Sequence, residues 1–312
     1  MTIHEALRAA HIHLERASMY PELAWKEAET LLGFVLQKER TWLTAHSDQL
    51  LLPRQEQRFF SFVERRTKHE PIAYLLGLGE FCGMLFEVNK YTLIPRIETE
   101  ELVERAAANM YSRSDKNSGT SPPSIVVWDV GTGSGAIAVS IKKRLPDVAV
   151  VASDLSKRAL RIAQKNATRL LSKDQQPVFF QGSLLTREIK EYLLSHRPSQ
   201  LIVLANLPYL PHSDKALLQK DVVAYEPSSA LFADENGNAL ILQLMRHLSV
   251  LITKYSVPMR AYFEFDPPQA HTLQEQAREL FSNAVITTHK DTCGRARFLE
   301  VISPAQQTTH RP

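Results

Sequence analysis

One glycine-rich segment restricts what this chain can fold into more than any other. Asp129-Val130-Gly131-Thr132-Gly133-Ser134-Gly135 closes an apolar run at 125–130 and opens a helical pattern at 136–144. A strand that turns through glycines straight into a helix is the start of a βαβ unit. The glycines permit a tight turn and close approach of a ligand to the backbone, while the helix start offers N–H groups. Strand and helix then alternate. Strands are expected at 149–153, 178–181, 201–205 and 261–265, helices at 157–171, 187–194, 238–249 and 270–281, and terminal strands near 285–288 and 298–301. Such alternation predicts an α/β domain with a mostly parallel, doubly wound sheet and a ligand beyond the carboxyl ends of its strands.

A chain of 312 residues has room for a second, smaller unit. Apolar residues recur at helical spacing from residue 1 to about 70, as in Ala24, Ala28, Leu31, Leu32 and Val35, then Phe59, Phe60, Phe62 and Val63. The arginines of 54–68 (Arg54, Arg58, Arg65, Arg66) read as a solvated helix face in preference to a docking surface for an acidic partner. Between 74 and 95, β-prone runs broken by Gly77, Gly79 and Gly83 predict a hairpin, followed by a helix over 98–110. The polar run 112–124 reads as an exposed loop. The expected division is a helical domain at 1–73, a hairpin linker at 74–95 and the α/β domain at 96–312.

Composition removes several classes of function. With 44% hydrophobic and 23% charged residues the chain is an ordinary globular protein, and no stretch approaches the roughly 18 apolar residues of a membrane span. Glu5, Arg8, Glu15 and Arg16 interrupt the first twenty residues, so a cytoplasmic protein without a secretory leader is expected. Cys82 and Cys293 stand far apart without metal-ligand spacing, so neither a disulfide framework nor a metal site is expected. A net charge of +3 does not announce a nucleic-acid binder.

The candidate site gathers at strand ends. Gly131, Gly133 and Ala136 also satisfy the dinucleotide fingerprint, so the loop alone does not separate NAD from S-adenosylmethionine. Asp129, directly before the loop, would receive an ammonium group and repel a pyrophosphate, which favours S-adenosylmethionine. Asp154, at the end of the second strand, is placed to accept ribose hydroxyls, a feature both cofactors share. Either aspartate would otherwise be a cap or loop carboxylate. After the fourth strand comes Asn206-Leu207-Pro208-Tyr209. An amide or ring-amino nitrogen is a poor nucleophile because its lone pair is delocalised, so a methyltransferase acting on it must hold the group and aim the lone pair. The Asn206 side-chain oxygen accepts one N–H, the Leu207 carbonyl accepts the other, and Tyr209 packs on the flat group. Pro208 restricts Leu207 to extended backbone, which fixes that carbonyl. The bland alternative is a β-turn with a packed tyrosine. Upstream, Thr99 reads as a cap for the following helix and Glu98 as favouring its positive end, with Arg96 beside them.

These residues carry a resemblance. Glu70-Pro71-Ile72-Ala73-Tyr74-Leu75, Glu80-Phe81-Cys82-Gly83, Leu93-Ile94-Pro95-Arg96-Ile97-Glu98-Thr99-Glu100, the glycine loop, Tyr225-Glu226-Pro227 with Ala230-Leu231, and Asp291 with Gly294, Arg295, Arg297 and Phe298 resemble the HemK-type protein glutamine N5-methyltransferases. That family modifies the Gly-Gly-Gln glutamine of peptide chain release factors. The resemblance, running from about Ala28 to Val301, implies a helical domain that helps dock the release factor, a β-hairpin linker and a seven-stranded Rossmann-like S-adenosylmethionine domain. It implies cofactor contacts from Asp129, Gly131, Thr132, Gly133, Gly135, Asp154, Leu155, Ser183, Leu184 and Asn206. Substrate contacts fall to Asn206, Leu207, Pro208 and Tyr209, with Arg96 and Glu98 at the substrate entrance.

There are departures from the family pattern. Leu207 replaces the first proline of Asn-Pro-Pro-Tyr, Ser183 stands where the family often has aspartate near the adenine, and Glu264-Phe265-Asp266-Pro267-Pro268-Gln269 replaces Glu-Ile-Gly-x-x-Gln. Asn-Leu-Pro-Tyr is also the form of ribosomal RNA adenine dimethyltransferases, so N6-adenine methylation of RNA or DNA is the rival reading. In those enzymes the glycine loop lies near the chain start, whereas 128 residues precede Asp129 here. A third possibility is a binding module that has lost its chemistry. The expected partner is a release factor, with no membrane, no stable nucleic-acid binding and a monomer by default.

Overall fold

In the computed structural model, which describes residues 1–17, 20–111 and 124–304, the chain begins with five helices: α1 (Ile3–Ala17), α2 (Ala24–Leu36), α3 (Arg40–Ala45), α4 (Pro53–Thr67) and α5 (Ile72–Leu76). The helical periodicity of α2 and α4 turns Ala28, Leu31, Leu32, Phe59 and Val63 onto one buried core. Most of the expected arginine face is engaged within this unit. Arg66 donates to Glu27 (2.8 and 3.0 Å), Arg65 donates to Glu70 (2.8 Å), and the Arg58 guanidinium lies 5.6 Å from the ring centres of Phe34 and Phe62.

By its contacts the chain divides into Met1–Gly79 with Leu218–Glu226, and Glu80–Leu217 with Pro227–Pro312. The division between Gly79 and Glu80 falls inside the hairpin β1 (Leu78–Phe81) and β2 (Met84–Glu87), within the segment 74–95 expected as a linker. The short segment 218–226 groups with the helical unit, where the Tyr225 hydroxyl donates to the Lys68 carbonyl (2.8 Å) and Asp221 lies 3.9 Å from Arg66.

The second unit holds α6 (Ile97–Tyr111), β3 (Ile125–Val130), α7 (Ala136–Arg144), β4 (Ala149–Asp154), α8 (Lys157–Leu170), β5 (Val178–Gln181), α9 (Arg187–Ser195) and β6 (Gln200–Ala205). After α10 (Lys220–Tyr225) in the excursion come α11 (Ala239–Tyr255), β7 (Met259–Glu264), α12 (Ala270–Leu280), β8 (Val285–Lys290) and β9 (Ala296–Ser303). Seven strands form one sheet in the order β5-β4-β3-β6-β7-β9-β8, parallel up to β7 and antiparallel where β9 pairs with β7 and β8. This is the Rossmann-like α/β fold that the alternation predicts. Every residue of β3 and β6 is buried, as expected of central strands covered on both faces. Period-two alternation sends Val126, Trp128 and Val130 to the core on one face and Ile125 and Val127 to the core on the other.

Element ends agree with expectation within one or two residues for most elements. The exception is α11, which ends at Tyr255 instead of 249. Val250, Ile252 and Thr253 are β-branched and weaken the local helical signal, yet Leu251 and Ile252 continue the buried stripe of Leu244 and Leu248. Left-handed Ser256 (φ 52°) then stops the helix. The expected loop at 112–123 lies outside the described residues. Among the described residues no helix is long and apolar enough to cross a membrane.

Sheet topology fixes where a ligand can sit. From β3 the chain winds through β4 to β5 on one side, then returns to β6 on the other, opening a crevice at the carboxyl ends of β3 and β6. Register does the rest. Val130 pairs with Ser153 and with Ala205, so Gly131, Asp154 and Asn206 leave three adjacent strands at one level.

Candidate active site

At the carboxyl ends of these strands lies a cleft of about 220 Å³. The glycine loop forms its floor and is bonded to the next strand. The Gly131 and Thr132 N–H groups donate to the Ser153 carbonyl (2.8 and 2.9 Å), and Gly133 N–H donates to Asp154 Oδ2 (2.9 Å). Asp154 Oδ1 accepts from Ser156 N–H (2.8 Å), and burial raises the pKa of this carboxyl.

Asp129 lies beneath the loop and is fully buried. Its Oδ2 accepts from the Thr132 hydroxyl (2.6 Å) and from Ala138 N–H in the first turn of α7 (3.0 Å), while Oδ1 has no partner. Burial pushes its pKa up to about 7, and the Asp154 charge adds to the rise. No basic side chain is among the groups that shift either carboxyl. Asp154 brings a carboxylate to the cleft wall while the Gly131, Thr132 and Gly133 N–H groups are already taken, so the loop suits a cation or a ribose in preference to a pyrophosphate. The ribose and the cationic sulfonium and ammonium of S-adenosylmethionine fit this lining.

Asn206 ends β6 and is held from behind. Its Nδ2 donates to Thr99 Oγ1 (2.8 Å), and Thr99 Oγ1 donates to Glu264 Oε2 (2.7 Å). Glu264 Oε1 accepts from the Tyr209 hydroxyl (3.3 Å). Gln269 Nε2 donates to the carbonyls of Tyr209 (2.7 Å) and Asn236 (2.9 Å). The segment after β7 that departs from the family pattern thus keeps its glutamate and glutamine, and both grip the Asn206–Tyr209 loop. Glu264 is 1% exposed; burial raises its pKa to about 7 against the opposing pull of Thr99, Arg297 and Tyr209. Burial and the Glu264 charge push the Tyr209 phenol up, so it stays a hydrogen-bond donor.

Most of the residues singled out from sequence meet at the cleft. Gly131, Thr132, Gly133 and Asp154 line it, as do Leu155, Ser183 and Leu184. Asn206, Leu207, Pro208 and Arg96 line it as well. Four do not. Asp129 lies one layer below, where it ties Thr132 to α7 and does not face a ligand directly. Gly135 is a packing glycine: a Cβ there would sit 3.0 Å from that of Ala163 on α8. Glu98 lies 3.6 Å from Arg295. Tyr209 is not among the residues that line the cleft, and its hydroxyl donates to Glu264, which anchors the loop. Thr99 does not cap α6; its hydroxyl links Asn206 to Glu264. Sequence reasoning missed that link, although a carboxylate in the otherwise apolar end of β7 (Ala261-Tyr262-Phe263-Glu264-Phe265) was its local signal.

The release factor glutamine methyltransferase of Enterococcus faecalis (strain ATCC 700802 / V583) is 33% identical over 91% of this chain and 95% of its own length. The chain belongs to the release factor glutamine methyltransferase family. The enzyme of that name from Leptospira interrogans serogroup Icterohaemorrhagiae serovar Lai (strain 56601) is 31% identical over 88% of this chain and 89% of its own. Residues 5–77 match the PrmC N-terminal domain, and residues 115–190 match the methyltransferase small domain. Among solved structures, the hMettl16 catalytic domain in complex with MAT2A 3′UTR hairpin 1 is 13% identical over 84% of each chain with a TM-score of 0.51, a likeness of fold alone.

For a methyltransferase of this family the grip on the Asn206 loop has a testable consequence. Gly237 (φ 83°) lies so close to the loop that a Cβ would sit 1.9 Å from the Tyr209 carbonyl oxygen and 2.4 Å from Gln269 Nε2. Gly237→Ala is expected to displace Tyr209, costing about 1–3 kcal/mol of stability together with most of the activity. Thermal unfolding and a methyl-transfer assay check it; wild-type values in both would show that the loop is not held from this side.

Proposed function

We propose that this chain transfers a methyl group from S-adenosylmethionine to the side-chain amide nitrogen of a glutamine in a release factor, at its Gly-Gly-Gln sequence. The observation that carries this reading is the Asn206 amide, fixed at the cleft through Nδ2 with Oδ1 left to accept a hydrogen bond. S-adenosylmethionine, when bound, supplies an electrophilic methyl on a sulfonium. Gly131, Gly133, Asp154, Leu155, Ser183 and Leu184 are the residues that would hold it.

Asn206 Oδ1 accepts one N–H of the substrate amide and the Leu207 carbonyl the other, which turns the nitrogen lone pair toward the cleft. Leu207 suffices where the family has proline, because only its backbone carbonyl is used and Pro208 still holds it extended. No strong base is needed beside Asn206, since an amide nitrogen becomes acidic as it forms its new bond and sheds its proton afterwards. Positioning is the catalysis. The helical unit is the proposed docking surface for the release factor, and the protein is proposed to act in the cytoplasm as a monomer without stable nucleic-acid binding.

The test is a parallel incubation with methyl-labelled S-adenosylmethionine and one of four acceptors: a release factor, the same factor with its Gly-Gly-Gln glutamine replaced by alanine, ribosomal RNA, or duplex DNA. Label in the intact factor alone is expected. Label in either nucleic acid and none in protein would hand the function to adenine methylation.

A further inference from the structure

A primary amide is ambiguous at its tip, because oxygen and nitrogen occupy nearly the same space and only the partners decide which end faces where. For Asn206 the choice decides function. With Oδ1 toward the substrate it accepts an N–H and orients the target nitrogen; with Nδ2 toward the substrate it would present a donor to a donor.

Two buried groups, Thr99 and Glu264, make the choice. Glu264 sits at the end of β7, and in its charged form it has no proton to offer, so the Thr99 hydroxyl donates to it (2.7 Å). With its one proton committed, Thr99 Oγ1 can only accept from Asn206, and Nδ2 is the end that donates (2.8 Å). Resting on the glutamine-methylation reading above, we infer that Thr99 and Glu264 are positioning residues for the reaction: their relay fixes the polarity of the Asn206 amide, leaving Oδ1 as the acceptor for the substrate. The residues come from α6, β7 and the end of β6, and Thr99 and Glu264 lie 165 positions apart in the chain.

The relay has a built-in sensitivity to protonation. Glu264 is faced by Thr99 and Glu98 from α6, by the Tyr209 phenol after β6 and by Arg297 from β9. Its acid form, favoured as pH falls through about 7, would donate to Thr99, Thr99 would donate to Oδ1, and the amide would turn its nitrogen to the substrate. The charged form that keeps the relay in working order is the one present above that pH.

The experiment compares Thr99→Val, Thr99→Ser and Glu264→Gln with wild type. Thr99→Val keeps the shape and removes the acceptor; kcat for glutamine methylation is expected to fall about 10²-fold with little change in cofactor Kd. Thr99→Ser, which keeps the hydroxyl, should recover most of the rate. Wild-type kcat should decline on the acid side of about pH 7, and Glu264→Gln should lack that decline. Asp129 titrates in the same range, so a decline that persists in Glu264→Gln belongs to Asp129 and counts against the relay. In parallel, the side-chain amide resonances of Asn206 in the substrate-free enzyme report the Nδ2 bond directly: they should shift in Thr99→Val and return in Thr99→Ser. An unchanged Asn206 resonance, or a Thr99→Val enzyme with wild-type kcat, would overturn the proposal. A wild-type enzyme that leaves glutamine unmethylated overturns the functional reading instead, and the amide resonance alone then decides for or against the relay.

Discussion

Asn206→Ala is expected to lower kcat by about 10²–10³-fold, the range lost when one preorganised hydrogen-bonding group is removed from an active site. The substitution removes the acceptor that orients the target amide, and it leaves the glycine loop and Asp154 untouched, since neither bonds to the Asn206 side chain. Affinity for S-adenosylmethionine should therefore stay close to wild type. Steady-state kinetics with a release factor and calorimetry with the cofactor separate the two effects. Turnover near wild type would remove Asn206 from the reaction; a large loss of cofactor affinity would make it a cofactor residue instead.

Asp154→Ala should show the opposite pattern. Its carboxylate lines the cleft, and it also holds the Gly133 and Ser156 N–H groups, so its loss removes a ligand contact and loosens the loop at once. A charge-assisted hydrogen bond contributes about 1.5–3 kcal/mol, which corresponds to a rise in cofactor Kd of roughly 10–100-fold. At saturating cofactor kcat should recover most of its value. Calorimetry checks the first statement and a cofactor titration of the rate checks the second; an unchanged Kd would take Asp154 out of the cofactor site.

The parts of the molecule legible in the sequence are those whose cause is local. Strands β3 and β6 are short continuous apolar runs, and α8 carries a buried stripe of Ala159, Leu160, Ala163 and Ala167 behind a Ser156 cap, so their type and ends follow from pattern alone. The glycine loop and Asn206–Tyr209 are contiguous motifs, and strand register brings them together. What escaped is non-local. Whether Asp129 faces a ligand or lies beneath the loop depends on Ala138 and Thr132 closing over it. The Thr99–Glu264 bond joins residues that no window of sequence spans. The excursion 218–226 holds one short helix, α10, and its place with the helical unit depends on partners such as Lys68 and Arg66.

The most direct measurement for the central claim is mass spectrometry of a release factor after incubation with the purified protein and S-adenosylmethionine, with the methyl located by fragmentation of the peptide that carries Gly-Gly-Gln. The account predicts one added methyl on the side-chain amide nitrogen of that glutamine. A methyl on any other residue, or an unmodified peptide from an enzyme that binds the cofactor, would contradict it.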